Sequence, residues 1–410
     1  MSDSGAIDLR LERYFFDSFN DIGQDDIKKD WREFYDMSFC TRRNRDTHDL
    51  IAHLSPHLKG RLESISDNVM IFPSLKDSVE NLVAQGFVVA DRIAFDFLEY
   101  TYGVSLEPSE INYIDDICDG KDLENIISAY ETSSNHIIIA VGGGRTMDYA
   151  KYISWVTGAK LLAIPSSLAT HVYASPKIHA LDPIKDLGFS KTIDGNPAHL
   201  TLIDVNLLSS LFANKKRLVF SGFGDIMAFI NSQNDWKDSA KDGKERYSLF
   251  ADKSIDLVIK TLVEIDVSAP LATWISDYIF IQCLLCHITD WVGSAPASGA
   301  EHLFAKTIED EISEQPLHGE VVALGVLIFA YIRGQDVGLT VSLMRKFQIS
   351  NELKQLGLTK NALVKALTRC GNEGLKKKRY TILQDLDDSP DFFRGVIAGM
   401  INENLLMDSS

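Results

Sequence analysis

The spacing of apolar residues changes along the chain and divides it into regions. Leu11, Tyr14, Phe15 and Phe19, then Trp31, Phe34 and Tyr35, recur at helical intervals among charged residues, which predicts an amphipathic helical extension over 1–62. From residue 63 short apolar runs take over: Val69–Phe72, Phe87–Ala90, Ile137–Val141, Leu161–Ile164 and Leu200–Ile203, with helical stretches between them. Strands alternating with helices build a parallel sheet with crossover helices, so 63–208 reads as a Rossmann-like nucleotide-binding domain. Beyond 208 the strand-like runs stop. Lys253–Ile265, Ala269–Val292 and Glu320–Arg333 carry helical periodicity, and 209–410 is expected to be all helix. The fold class is thus α/β plus all-α.

Composition narrows the function. At 410 residues the chain exceeds what one core usually serves. A net charge of -17 repels phosphate backbones and anionic lipid, so neither nucleic acid nor a membrane surface is the expected partner. The first residues lack the basic patch and apolar run of a secretory signal, and no uninterrupted apolar stretch approaches spanning length. Five cysteines spread over the chain suit reduced thiols and a cytoplasmic location. Cys283-Leu-Leu-Cys286-His287 spells a haem-attachment pattern, but it lies in the apolar run Tyr278–Ile288, which reads as a buried helix.

Two groups of residues can carry chemistry. Ile137–Val141 leads into Gly142, Gly143 and Gly144 and then into Arg145-Thr-Met-Asp-Tyr-Ala-Lys151, a strand, three glycines and a helix. Such glycines let the backbone approach a pyrophosphate, and the N–H groups of the helix start attract its charge; a plain tight turn is the alternative. Asp148 and Lys151 share a helix face, as a surface ion pair or as groups directed at cofactor or substrate. The second group is His171, in the loop after Leu161–Ile164, with His302 and His318, which a cleft could gather around a metal. A lone histidine is more often a structural hydrogen-bonding group, and spacing alone favours that reading.

The motifs together resemble the glycerol-1-phosphate dehydrogenase family. Gly142–Lys151 is similar to its GGGRxxDxAK segment, and Pro165–Pro176 to its P-T-A-x-S-x-D-G-x-A-S-P loop. Gly222-Phe-Gly-Asp225 with Asp235-Trp236, Pro296–His302, His318-Gly-Glu320 and Arg379–Leu383 follow in the family's order, over roughly residues 65–385. The resemblance implies a dehydroquinate synthase-like fold, with an N-terminal Rossmann-like domain, a C-terminal helical domain, a divalent metal (Zn, Fe or Ni) and NAD(H) or NADP(H). It also implies reduction of glycerone phosphate to sn-glycerol 1-phosphate.

Carried over by position, Gly142–Gly144 hold the pyrophosphate, Ser166 and Ser167 approach the cofactor, and Asp148 and Lys151 lie near nicotinamide and substrate. His302 and His318 match metal ligands, and His171 stands where the third ligand is an aspartate. Three imidazoles would leave the metal one charge unit more positive than Asp-His-His, hence a stronger Lewis acid. Ala295 and Phe229 replace basic residues of the family, while Lys306 replaces a histidine and is a candidate contact for substrate. Asp91, after Phe87–Ala90, suits a ribose hydroxyl and disfavours a 2′-phosphate, or else caps the next helix.

A small, phosphorylated substrate and a homodimer complete the expectations. A sugar-phosphate cyclase of the dehydroquinate synthase kind and a non-catalytic nucleotide- or partner-binding relative are the competing readings.

Overall fold

A computed structural model describes residues 47, 50, 53, 54, 63–66, 68–105, 111–189, 192–310, 312, 316–376 and 380–408. The apolar positions on which the helices expected over 1–62 rest, Leu11, Tyr14, Phe15, Phe19, Trp31, Phe34 and Tyr35, lie outside the described residues, as does Arg379. Contacts divide the chain into two units: one runs to Lys216 and takes in Ser268–His287, the other takes in Arg217–Val267 and Ile288 onward.

The first unit contains β1 (Glu63–Ser66), β2 (Val69–Phe72), α1 (Val79–Val83), β3 (Phe87–Ala90), α2 (Arg92–Tyr102), β4 (Ile111–Tyr113), α3 (Gly120–Thr132), β5 (Ile137–Gly142) and α4 (Gly144–Thr157). There follow β6 (Lys160–Pro165), β7 (Lys177–Ile178), α5 (Asp182–Asp186), β8 (Ile193–Asp194), β9 (Leu200–Asp204) and the start of α6 (Val205–Ile226). Seven strands form one sheet in the order β1-β2-β9-β6-β5-β3-β4. Its pairs are parallel apart from the antiparallel β1 and β2. β2, β3 and β5 are buried at every position, because crossover helices cover such a sheet on both faces. The apolar runs miss β1, whose Glu63-Ser-Ile-Ser66 holds a single apolar residue, and the shorter β4, of three residues, and β7 and β8, of two each.

Connectivity sets where a ligand can bind. From β3 the chain runs outward to β4 and then returns to place β5 on the other side of β3, so the strand order reverses between β3 and β5. Their carboxyl ends are joined where Asp91 donates its backbone N–H to Val141 O at 3.0 Å. Doubly wound sheets leave their crevice at such a reversal. On the other side Gly142 is in register with Pro165, which sets the loop after β6 beside the glycines.

That loop is fastened from two directions. Tyr278 OH and Gln282 Nε2 both donate to Leu168 O, at 2.8 and 3.1 Å. From α4, Lys151 Nζ donates to the carbonyls of Val172, Ser175 and Lys177 and lies 3.4 Å from Asp148 Oδ1. Asp148 in turn accepts the His179 N–H at 3.0 Å. Their side chains are 1% and 7% exposed, so this is a buried pair and not a surface one.

α6 carries non-helical dihedrals at Lys215 (φ -132°, ψ 38°), and the unit boundary follows one residue later. The second unit continues with α7 (Phe229–Lys241), α8 (Leu249–Glu264), the end of α9 (Leu271–Val292), α10 (Ala300–Glu309), α11 (His318–Ile332), α12 (Gly338–Lys346), α13 (Lys360–Lys376) and α14 (Pro390–Asn402). The described residues after Asp204 thus form helices, with one isolated bridge between Glu352 and Met407. α11 is buried from Gly319 to Ala330, and its Phe329 meets Phe304 of α10 edge-on. Each large apolar side chain enclosed in this way contributes about 1.5–3 kcal/mol.

α9 is long and apolar enough to cross a membrane, but 78% of that window is buried inside the protein. Cys283, Cys286 and His287 are among its buried residues, and burial pushes the His287 imidazole down to about 4. The sheet unit runs to Lys216 and takes in Ser268–His287, the part of α9 whose Tyr278 and Gln282 bond the loop after β6.

Replacing Lys151 by Met should leave the Asp148 carboxylate enclosed without its cation and cost about 3–5 kcal/mol in urea unfolding. A loss below about 1 kcal/mol, the range of exposed pairs, would contradict a buried anchor.

Candidate metal centre and cofactor site

At the end of β5 the chain turns at Gly143, the N-cap of α4, with no side chain capping the helix. Its first N–H groups therefore point outward, carrying the positive end of the helix dipole. A Cβ on Gly142 would lie 2.1 Å from Thr146 Oγ1, and one on Gly144 would lie 3.1 Å from Thr170 Oγ1. Above Gly143 the nearest atom is Ser167 Cβ at 3.9 Å, which leaves room for a ligand to reach the backbone. Thr146 Oγ1 is buried without a hydrogen-bond partner. An uncapped helix, a side-chain-free approach and an unused hydroxyl suit a pyrophosphate.

The flanking residues fall around this turn. Ser166 donates its N–H to Gly142 O at 2.9 Å, and Ser167 Oγ accepts from Ala169 N at 3.2 Å. Asp91 caps α2, its Oδ1 accepting the Ala94 N–H at 2.9 Å. Asp91, Gly142–Gly144, Ser166 and Ser167 thus belong to adjacent strand ends. Asp148 and Lys151 differ: the three carbonyls that take the Lys151 protons leave its ammonium none to offer a substrate. Both residues hold the loop that faces the cofactor turn.

The helical unit gathers a second cluster. Asp225, His302 and His318 each bring a donor atom to within 4.8 Å of the others, and they form the grouping of potential metal ligands found among the described residues. Asp225 lies at the last turn of α6, His302 in the first turn of α10, and His318 is the first residue of α11. Asp225 Oδ1 is 3.2 Å from His302 Nε2 and 3.6 Å from His318 Nε2. Donors about 2.1 Å from a tetrahedral ion stand about 3.4 Å apart, so carboxylate and imidazoles are spaced for zinc or a similar cation.

Within the helical unit the residue beside His302 and His318 is Asp225, which the sequence reading did not single out as a ligand. His171 belongs to the sheet unit, where its carbonyl accepts from Ala174 N at 3.0 Å and faces Cys286 Sγ at 3.5 Å. The aspartate of Gly222-Phe-Gly-Asp225 was visible as part of a matching motif; nothing local marks it as a ligand, because its role depends on where α6 ends.

Two glycines bring these helix ends together. A Cβ on Gly224 would meet Gly319 O at 2.2 Å, and one on Gly319 would meet Ser221 O at 1.8 Å. Gly319 N also donates to Ser221 Oγ at 3.2 Å, and Arg217 grips the buried Glu320 through two bonds of 2.7 and 2.8 Å. Hence α6 and α11 meet backbone to backbone beside Asp225 and His318.

α10 is positioned separately. Asp235 of α7 accepts the N–H of Ala300 at 2.9 Å and that of Ile382 at 2.9 Å, and pairs with Arg333. It caps α10 in place of a side chain at its N-cap, Gly299. Burial next to Glu301 pushes the Asp235 carboxyl up to about 6, against the pull of Arg333.

The field at the cluster is negative. Burial opposes charging of the imidazoles, yet Asp225 with Glu301 pushes His302 up to about 9, and Asp225 with Glu309 pushes His318 up to about 10. Burial likewise opposes the Asp225 charge, and the two histidines still hold its carboxyl well below the usual range. A field that stabilises imidazolium also favours a bound cation. Lys306 is exposed on α10, one turn after His302, while Phe229 and Ala295 are buried.

Comparison with known proteins bears on the fold and the family. A family model described as iron-containing alcohol dehydrogenase matches residues 74–193. A probable glycerol dehydrogenase from Sinorhizobium meliloti has the same fold, with a TM-score of 0.57 at 16% identity over 79% of this chain and 93% of that one. The glycerol-1-phosphate dehydrogenase [NAD(P)+] of Sulfurisphaera tokodaii is 28% identical over 78% of this chain and 89% of its own length. That of Metallosphaera sedula is 30% identical over 60% and 69%. Fold and motifs therefore define a member of the metal-dependent, NAD(P)-linked alcohol dehydrogenases. Within them the chain belongs to the glycerol-1-phosphate dehydrogenase family, as a divergent member.

Gly319→Ala should separate α11 from α6, since its Cβ cannot lie 1.8 Å from Ser221 O. Zinc or iron bound per folded chain, measured by mass spectrometry, should fall to a small fraction of wild type. Full occupancy in a folded variant would show that this contact does not set the Asp225–His318 spacing.

Proposed function

We propose that the chain reduces a small phosphorylated ketone with NAD(P)H, glycerone phosphate being the favoured substrate and sn-glycerol 1-phosphate its product. The observation that carries this reading is the spacing of Asp225 Oδ1 from His302 Nε2 and His318 Nε2, 3.2 and 3.6 Å, in a chain that also keeps the glycine turn open above Gly143. When bound, the divalent metal polarises the substrate carbonyl and the reduced nicotinamide supplies hydride to its carbon.

The remaining work falls to side chains and backbone. Asp225, His302 and His318 would hold the cation, which would supply a fixed positive centre for charge on the substrate oxygen. Gly142, Gly143 and Gly144 with the first N–H groups of α4 hold the cofactor pyrophosphate, flanked by Ser166 and Ser167. Asp91 keeps its cap through Oδ1 and offers its second oxygen to a ribose hydroxyl, which favours NAD(H) over the 2′-phosphorylated form. Lys306 is exposed one turn beyond His302, which supports its assignment as the contact for a substrate phosphate. His171 takes no part in metal binding, and Asp148 and Lys151 keep the loop after β6 in place.

The test is a panel of ketose and aldose phosphates and their unphosphorylated counterparts, followed by NADH or NADPH absorbance with zinc, nickel or iron present. Consumption of one reduced cofactor per product is expected, with Lys306→Ala raising KM for phosphorylated substrates more than for the others. Product without net cofactor change would replace the dehydrogenase by a cyclase. A second test addresses cofactor choice: Asp91→Ser keeps a helix cap but removes the charge. It should raise the NADPH over NADH ratio of kcat/KM on the order of tenfold; an unchanged ratio removes Asp91 from the ribose site.

A further inference from the structure

Around the three candidate ligands a second set of carboxylates repeats one geometry. His302 Nδ1 is 3.0 Å from Glu301 Oε1, and His318 Nδ1 meets Glu309 Oε1, while both Nε2 atoms face Asp225. Glu301 lies in the first turn of α10 and Glu309 is its last residue. The Glu301 carboxylate also accepts from Gly299 N and Asn231 Nδ2, both at 2.6 Å. Surrounded by donors, Glu301 acts as an acceptor, so the proton between it and His302 belongs to the imidazole. Nδ1–H is thereby committed, and Nε2 is the nitrogen left to bind a cation.

We propose that Glu301 and Glu309 are positioning residues of the metal centre, each holding the Nδ1–H of one ligand histidine and aiming its Nε2 at the cation beside Asp225. The inference rests on the metal reading above and adds to it what sets affinity. An imidazole whose far nitrogen donates to a carboxylate is fixed in tautomer and orientation and is a more basic ligand. Two carboxylates besides Asp225 also add negative charge close to the cation, so the centre should retain its metal tightly. The two residues differ in surroundings. Glu301 is fully buried and also holds Gly299 and Asn231, whereas the Glu309 side chain is 28% exposed, so Glu309 can be changed with less damage to the fold.

The experiment uses the full chain, freed of metal and titrated with Co2+ and with Zn2+ against a competing chelator. Wild type, Glu309→Gln, Glu309→Ala and Glu301→Gln are compared, and thermal unfolding of the metal-free proteins is recorded in parallel. Glu309→Ala should weaken both metals by about 10–100-fold with an unchanged unfolding midpoint. Glu309→Gln, whose amide oxygen still accepts from Nδ1, should lose less, and the visible Co2+ bands should shift in the same order. A merely structural Glu309 would move the midpoint and leave metal affinity and spectrum alone, which overturns the proposal. Glu301→Gln should weaken metal binding whether or not its midpoint drops. If wild type binds one Co2+ per chain and the Glu309 variants bind it equally well, positioning by Glu309 fails and the metal reading stands. If wild type binds neither metal, both fall together.

Discussion

The contact on which the candidate centre depends is between two backbones. Gly224 and Gly319 face each other so closely that neither position has space for a methyl group, and the residues that follow or precede them in sequence are Asp225 and His318. A wider helix crossing would move the carboxylate and the imidazole apart by the thickness of the inserted side chain, and a cation needs its donors placed to a few tenths of an ångström. The Arg217–Glu320 pair and the Ser221–Gly319 bond strengthen the same junction. Since Arg217 is largely exposed, the ion pair itself adds modestly, and the close packing of the backbones is the determining feature.

His302 reaches the cluster by an independent route. Asp235 and Glu301 take the N–H groups of Ala300 and Gly299, so the start of α10 is held by carboxylates from outside its own N-cap. Two carboxylates at a helix start interact favourably with its dipole, but they lie near one another, and burial beside Glu301 already pushes Asp235 up to about 6. The arrangement accepts this repulsion because Arg333 faces Asp235 and His302 faces Glu301. Stability is given up locally to hold a ligand in one orientation.

Much of the sheet could be read from apolar runs, since strands buried at every position, such as β2, β3 and β5, need an unbroken apolar stretch. β4, β7 and β8 are too short to impose a period, and the extent of the sheet unit depended on contacts of α9 that only tertiary structure reveals. The glycine turn was recognisable because its chemistry is local: strand, glycines and helix are contiguous. The metal cluster was half visible. His302 and His318 stand in recognisable segments, but the third donor depends on which helix end arrives beside them. A matching loop suggested His171; the group found beside His302 and His318 in the helical unit is Asp225, at the end of α6. Glu309 escaped notice because it acts across a turn of chain, from the last residue of α10 to the first of α11.

With Asp225 in place of His171 as the proposed third ligand, the chemistry would change as well as the address. Three neutral imidazoles would leave a dication with its full charge, and one carboxylate reduces that to a single positive unit. Glu301 and Glu309, through their histidines, lower the effective charge further. With these ligands the proposed centre would be a milder Lewis acid than a histidine triplet and would hold its cation more firmly. Reduction of a carbonyl by hydride does not need the strongest available polarisation: the donor is itself reactive, and a product alkoxide gripped too tightly would delay release. A reversible dehydrogenase is better served by a moderated cation in a rigid setting, and the carboxylates that surround both imidazoles supply that moderation from the helix that carries one of the ligands.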